Sequence, residues 1–161
     1  MRVFSVDPGV RSGWALAEVS DQYPGGIVHL FGVVPKASGM AIRQTIERVH
    51  SVIGRPDAVA IEDQYVRQNI RSAMSLAKNA GRWLGLIEAD CHWMGVPVEH
   101  IPPSKWQQAV LGVTSNRAAS KRVALAVAHS CCGTQDQDEA DAICQGLYWA
   151  KELYARERRS R

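Results

Sequence analysis

Four carboxylates stand where strands end and a helix begins: Asp7, Glu62, Asp138 and Asp141. Asp7 closes an extended run before a Pro-Gly turn, Glu62 closes the run 58–62, and the last two, three residues apart, share one face of a helix. Hard divalent cations prefer oxygen ligands. Two of them about 4 Å apart can hold the attacking water and the leaving oxygen in phosphodiester hydrolysis. The set therefore predicts a site for two Mg²⁺ ions, with Mn²⁺ able to substitute.

Each of these acids also has an ordinary structural role. Asp-Pro-Gly marks many turns, and acids in the first turn of a helix are stabilised by its macrodipole. Asp136 and Glu139 flank the start of the last predicted helix and could replace Asp138 as a ligand. The combination of four positions, rather than any one of them, favours the metal site.

Acidic and basic residues are segregated along the chain. The segment 156–161 holds four Arg and one Glu, and so accounts for the whole net charge of +3. Two basic groups are Arg67, Arg71, Lys78 and Arg82, and then Lys105, Arg117, Lys121 and Arg122. Such segregation is typical of a nucleic-acid binder, although either group could be a solvated helix face. The candidates for contacts with backbone phosphates are Arg67, Arg71, Arg117 and Arg122.

The pattern of apolar residues predicts five strands and five helices. An antiparallel meander is predicted from the extended runs 2–7, 13–19 and 27–34. Further strands are predicted at 58–62 and 96–101, and helices at 38–53, 71–94, 104–111, 116–129 and 138–156. This order predicts an α/β fold of the ribonuclease-H-like type, a mixed five-stranded sheet with helices on both faces. Residues 1–155 are expected to form one domain, and 156–161 a disordered basic tail.

Composition argues against several other classes. No apolar run approaches the roughly 20 residues that span a bilayer, and the N-terminus enters a strand without a signal-peptide pattern. The cysteines have no CxxC or Cys/His spacing and are expected to be free, mostly buried thiols: Cys91, Cys131, Cys132 and Cys144. We therefore expect a protein of the reducing cytoplasm without membrane association.

Four segments together resemble the RuvC family of Holliday-junction resolvases. They are VDPGVRSGWA at 6–15, AIEDQY at 60–65, SNRAASK at 115–121 and DEADA at 138–142, in the family's order. The resemblance implies that the metal ligands are Asp7, Glu62, Asp138 and Asp141. It also implies a nuclease domain over residues 1–155.

The resemblance further implies residues that contact DNA. Lys121 lies where the family has a basic residue near the scissile phosphate and is expected to stabilise charge that develops there. Tyr65 matches an aromatic beside the junction and could stack on unpaired bases, and Gln64 lies beside it on the same predicted loop as a further candidate for DNA contact. Lys105 lies near a family lysine, but Trp106 changes the register. This departure and an insertion near Lys121 suggest a divergent bacterial or bacteriophage member.

The resemblance implies a homodimer that makes paired nicks in a four-way junction, with branch-migration helicases as partners. On the predicted helix 71–94, small residues recur every four positions at Ala77, Gly81, Gly85 and Ala89. This small-residue ridge allows close approach of another surface, at a cost of about 1 kcal/mol for each glycine. It could form the dimer interface or pack against the chain's own sheet.

Other functions of the same fold stay open from the sequence. A ribonuclease H, or a less specific structure-selective nuclease, would use the same carboxylates on another substrate. A non-catalytic module for branched DNA would keep the fold without the reaction. Sugar-kinase and actin-like ATPases need a longer chain with two Asp-containing turns and Gly-rich phosphate loops, which are not found here.

Overall fold

The predicted five-stranded sheet and five helices are all present. The computed structural model describes residues 1–36, 38–63, 70–112 and 116–161. The strands are β1 (Arg2–Asp7), β2 (Ser12–Glu18), β3 (Ile27–Val34), β4 (Ala58–Glu62) and β5 (Val98–Ile101). The helices are α1 (Gly39–Ile53), α2 (Ile70–Ala89), α3 (Pro103–Trp106, continued by the π-helical turn Gln107–Leu111), α4 (Arg117–Cys132) and α5 (Gln137–Ser160).

The sheet has the order β3-β2-β1-β4-β5 and is mixed. Strand β2 pairs antiparallel with β1 and β3, whereas β4 pairs parallel with β1 and β5. Because side chains alternate along a strand, Phe4 and Val6 face α1 and α2 and pack around Trp83. Val3 faces the other side, where α3, α4 and α5 pack around Trp106. Helices therefore cover both faces.

Hydrogen bonds from side chains to the backbone set the start of α1 and the end of α2. Ser38 caps α1 through its hydroxyl, as predicted. Helix α2 ends at Ala89 rather than at residue 94, because Asp90 Oδ1 accepts the backbone N–H groups of His92 and Trp93. The predicted end of this helix is therefore wrong, and the residues that follow form a turn instead.

Helix α5 continues to Ser160, beyond its predicted end at residue 156. Arg158 and Arg159 occupy the last turn, where cations are stabilised by the helix dipole. Arg158 Nη1 also donates to Asp21 Oδ1 at 2.7 Å. The predicted boundary of this helix is therefore wrong. That residues 1–155 form one nuclease domain stays a prediction.

All four cysteines are free, but they are not mostly buried. Only Cys144 is buried, whereas Cys91 and Cys131 are exposed because they lie just after α2 and in the last turn of α4. Within the described ranges, no helix is long and apolar enough to cross a membrane.

Candidate active site

The carboxyl ends of β1 and β4 lie side by side. Val6 pairs with Ile61 in parallel register, so Asp7 and Glu62 end neighbouring strands. Alternation places both carboxylates on the face of the sheet that α5 covers. The residues two positions earlier on that face, a serine and an alanine, are small and fully buried. The strand pairing therefore brings two of the predicted ligands to one edge.

Small residues allow the start of α5 to lie against the sheet. A Cβ built on Gly13 would stand 1.8 Å from the backbone oxygen of Asp138, and a Cβ on Gly146 would stand 2.6 Å from Ser5 Oγ. Ser5 Oγ donates to the backbone oxygen of Ala142 at 2.7 Å. The first turns of α5 are therefore held against the last residues of β1 and the first residues of β2.

The four carboxyl groups influence one another's ionisation. Burial raises the pKa of Asp7 to about 7, with repulsion from Asp141 and then Asp138 adding to it. Burial raises the pKa of Glu62 well above its usual value, and Asp7 contributes next. Burial also raises the pKa of Asp141 to about 6 and raises the pKa of Asp138. A cluster that resists ionisation in this way is stabilised by a bound cation.

Side chains on α3 and α5 hold two of the carboxylates. Trp106 Nε1 donates to Glu62 Oε2 at 3.0 Å, and Gln137 Nε2 donates to Asp141 Oδ1 at 2.8 Å. Sequence reasoning missed both donors. The pattern at Trp106 indicated a departure from the family register, and nothing in the sequence linked it to a carboxylate 44 residues away.

Arg11, in the turn between β1 and β2, holds the start of α5. Arg11 Nη2 donates to Asp136 Oδ2 at 2.6 Å, and Arg11 Nε lies 3.3 Å from Asp138 Oδ2. Asp136 is also the N-cap of α5, because Oδ1 accepts from the backbone N–H groups of Asp138 and Glu139. Asp136 therefore has a structural role, and it is Asp138 whose charge acts on Asp7.

The turn after Asp7 has its own support, which sequence reasoning missed. Asn79 of α2 is buried, and its Nδ2 donates to the backbone oxygen of Gly9 at 3.0 Å. Ser12 Oγ donates to the same oxygen at 3.0 Å. A polar residue one helical turn before the buried Trp83 interrupts an apolar stripe, and that signal could have singled out Asn79.

The donor set fits a hard divalent cation. It consists of carboxylate oxygens in a buried, mutually repelling cluster, which is the type of ligand that Mg²⁺ and Mn²⁺ prefer. As the side chains stand, no three His, Cys, Asp or Glu groups among the described residues are close enough together to hold a metal ion. Cation binding would therefore require these carboxylate groups to move closer together.

Two predicted bases lie beside the carboxylates. Burial raises the pKa of all four acids, and nearby positive charges partly offset that rise. Lys121 does so for Asp7, Asp138 and Asp141, and Arg117 does so for Glu62 and Asp141. Both bases are exposed on the first turns of α4. Three other predicted contacts are exposed on α2, α3 and α4: Arg71, Lys105 and Arg122. The predicted contacts Gln64, Tyr65 and Arg67 lie outside the described residues.

The chain is similar in sequence and in fold to proteins of one known family. The family model described as "Crossover junction endodeoxyribonuclease RuvC" matches residues 3–145. A protein of that name from Trichlorobacter lovleyi is 37% identical over 131 residues, which cover 76% of this chain and 68% of the relative. The Thermus thermophilus RuvC structure has a TM-score of 0.68 at 26% identity, and covers 98% of this chain and 96% of its own.

A second solved structure is that of T. thermophilus RuvC in complex with Holliday junction substrate. It has a TM-score of 0.68 at 24% identity, with the same coverage of 98% and 96%. The predicted ribonuclease-H-like sheet is therefore confirmed. The family model spans β1 to the first turns of α5, which carry all four carboxylates. This chain belongs to the RuvC family of crossover junction endodeoxyribonucleases.

Proposed function

We propose that this chain is a crossover junction endodeoxyribonuclease that hydrolyses phosphodiesters in four-way (Holliday) or other branched DNA. The observation that carries the proposal is the meeting of Asp7, Glu62, Asp138 and Asp141 at one end of the sheet, where each is buried enough to have a raised pKa. The relatives named for this activity, and the T. thermophilus protein bound to a junction, support the substrate.

The four carboxylates are the proposed ligands of two Mg²⁺ ions, with Mn²⁺ as a substitute. RuvC-family resolvases are metal-dependent nucleases. When bound, such ions neutralise the charge of the phosphate and position water for in-line attack. The protein's part is to hold the carboxylates in place, through strand pairing for Asp7 and Glu62 and through the docking of α5 for Asp138 and Asp141.

Lys121 is proposed to stabilise the negative charge that develops on the scissile phosphate. Its position beside three of the carboxylates supports this role. The other proposed DNA contacts are Gln64, Tyr65, Arg67, Arg71, Lys105, Arg117 and Arg122.

The basic end of α5 lies about 36 Å from its start, at 1.5 Å per residue, so it is not part of this site. Helicase partners and a cytoplasmic location stay predictions.

We expect Trp106→Phe to reduce junction cleavage by about 10- to 100-fold, because Glu62 loses the donor that orients it. The measurement is the single-turnover cleavage rate at saturating Mg²⁺. Trp149→Phe is the matched control, since Trp149 lies in the same core cluster and its Nε1 has no partner in the described part of the chain. Equal losses in both variants would show that packing, not the hydrogen bond, matters.

The function itself is tested with a synthetic four-way junction. We expect Mg²⁺-dependent nicks in two strands of like polarity, and none in a linear duplex of the same sequence or in the presence of EDTA. An RNA–DNA hybrid cleaved as fast as the junction would support the ribonuclease H alternative. Junction binding without cleavage at any Mg²⁺ or Mn²⁺ concentration would support the non-catalytic alternative.

A homodimer is proposed to form through the small-residue ridge of α2. All four ridge residues are exposed, and a Cβ on Gly81 or Gly85 would meet no described atom within 4 Å. The alternative that this ridge packs against the chain's own sheet is wrong, because Trp83 and Ile87 occupy that face of α2. Met74, 67% exposed on the same helix, extends the apolar surface.

Gly85→Glu is expected to produce a monomer, because a longer charged side chain prevents close approach of two helices. Gly85→Ala is the matched control, and it should stay dimeric and gain up to about 1 kcal/mol of helix stability. Sedimentation velocity over a range of concentrations measures both. A Gly85→Glu protein that dimerises as well as the wild type would place the interface elsewhere.

A further inference from the structure

Gln145 of α5 is a buried amide that the arrangement described so far leaves unused. Its side chain is 0% exposed, and neither Nε2 nor Oε1 has a hydrogen-bond partner among the described residues. A buried polar group without a partner costs about 1–3 kcal/mol. The amide is therefore either an uncompensated loss, or it gains its partner in a state other than this one.

Helix geometry directs this amide toward the carboxylates. Gln145 follows Asp141 by one turn and Asp138 by two, so the three side chains share one face of α5. Long side chains on a helix lean toward its N-terminus, which here is the end with the two acids. The neighbouring Gly146 lies close to Ser5, because a Cβ on it would stand 2.6 Å from Ser5 Oγ. Ser5 precedes Asp7 by two residues, on the same face of β1. The amide is therefore buried on the face of α5 that carries Asp138 and Asp141.

Asp141 has a glutamine one helical turn away on either side. Gln137, toward the N-terminus of α5, donates to Asp141 Oδ1 at 2.8 Å, whereas Gln145, toward the C-terminus, has no hydrogen-bond partner among the described residues. A cation shared with Asp7 and Glu62 would compete with Gln137 for the Asp141 carboxylate. A carboxylate that has lost the Gln137 bond has a second amide, that of Gln145, one helical turn away on the same face of α5.

We propose that Gln145 is a positioning residue of the carboxylate site, whose Nε2–H donates to Asp141 once a cation holds that carboxylate. Carboxylates that bind metals are commonly oriented by such a second hydrogen bond, and its loss costs about 10- to 100-fold in metal affinity or activity. The inference rests on the proposed function, because it requires a cation at this site.

The test is thermal unfolding of the full chain in a MnCl₂ titration, with MgCl₂ in parallel. Gln145→Met removes the amide and keeps an unbranched side chain of similar length. The metal-free variant should be at least as stable as the wild type, because an unsatisfied amide has gone. It should need at least about tenfold more MnCl₂ for its half-maximal shift in melting temperature. A general packing defect would lower metal-free stability instead.

Gln145→Leu is the second variant, and Gln44→Met on the exposed side of α1 is the control. If both Gln145 variants keep the wild-type MnCl₂ midpoint, the inference is overturned while the metal site stands. A clear loss of metal-free stability in both would also overturn it, because the amide would then have a partner without the cation. If the wild type shows no MnCl₂-dependent shift, or Asp7→Asn retains it, the proposed metal site fails, and the inference with it.

Discussion

Asp7→Asn is expected to abolish Mg²⁺-dependent cleavage of a four-way junction and, at neutral pH, to make the metal-free protein more stable. Both effects have one cause. Asp7 is the carboxylate on which burial, Asp141 and Asp138 all act to raise the pKa, to about 7. Ionised Asp7 is therefore unfavourable in the folded chain unless a cation is bound. An amide removes the charge and, with it, a ligand.

The sign of the pH dependence follows from the same shift. Asp7 has a pKa of 3.8 as its ordinary value and about 7 when folded, so between these pH values the folded chain binds a proton that the unfolded chain lacks. Stability of the metal-free protein should therefore fall as pH rises from about 4 to about 7. Asp141, raised to about 6, acts with the same sign. For Asp7 the effect is on the order of 2–4 kcal/mol.

The measurement is chemical denaturation of metal-free wild type and Asp7→Asn at pH 5 and pH 8. The wild type should lose stability between the two, and the variant should lose clearly less. Asp21→Asn is the control, because Asp21 is exposed and bonded to Arg158 and Tyr154 at the far end of α5. Cleavage that survives in Asp7→Asn, or an unchanged pH slope, would show that Asp7 is not in the metal site.

Gly13→Ala is expected to lower junction cleavage by about 100-fold or more and to destabilise the fold by about 1–3 kcal/mol. The added Cβ would stand 1.8 Å from the backbone oxygen of Asp138 and 2.4 Å from its carbonyl carbon. Both are backbone atoms, so the clash is relieved only if the start of α5 moves. A displacement of about 1 Å in a catalytic group can cost about 100-fold in rate, and overpacking costs about 1–3 kcal/mol.

Gly25→Ala is the matched control for this variant. Gly25 lies in the turn between β2 and β3, and a Cβ there would meet no atom of the described residues within 4 Å. The pair is compared by cleavage rate, by melting temperature and by the MnCl₂ concentration needed for thermal stabilisation. A Gly13→Ala protein that cleaves at the wild-type rate would contradict the close docking of α5 described above.

The strands and the proposed ligands could be predicted because their signals are local. The bounds of β1, β3 and β4 follow from apolar runs that end at turns, and the spacing of Asp138 and Asp141 fixes a shared helix face. The end of α2 was harder to predict. Apolar periodicity continues to residue 94, but the side chain of Asp90 competes for the backbone N–H groups and stops the helix.

The supporting residues of the site could not be predicted in this way, because their partners are distant in sequence. Trp106 meets Glu62 across 44 residues, and Arg11 meets Asp136 across 125. Nothing in the types of these residues identifies the partner before the sheet order is known. Gln145 carried a weaker clue, since a glutamine among apolar helix residues is unusual, but its lack of a partner is visible only in three dimensions.

The bond from Ser5 to Ala142 joins residues 137 positions apart. Domains generally fold as units, and α5 covers one face of the sheet that contains β1 and β2, so the fold and the carboxylate cluster depend on the same helix. A nascent chain that stops before residue 137 holds Asp7 and Glu62 but neither carboxylate of α5, and so cannot assemble the proposed centre. On the proposed function, a chain that ends before residue 137 should bind no divalent cation at this site and should leave a four-way junction uncut.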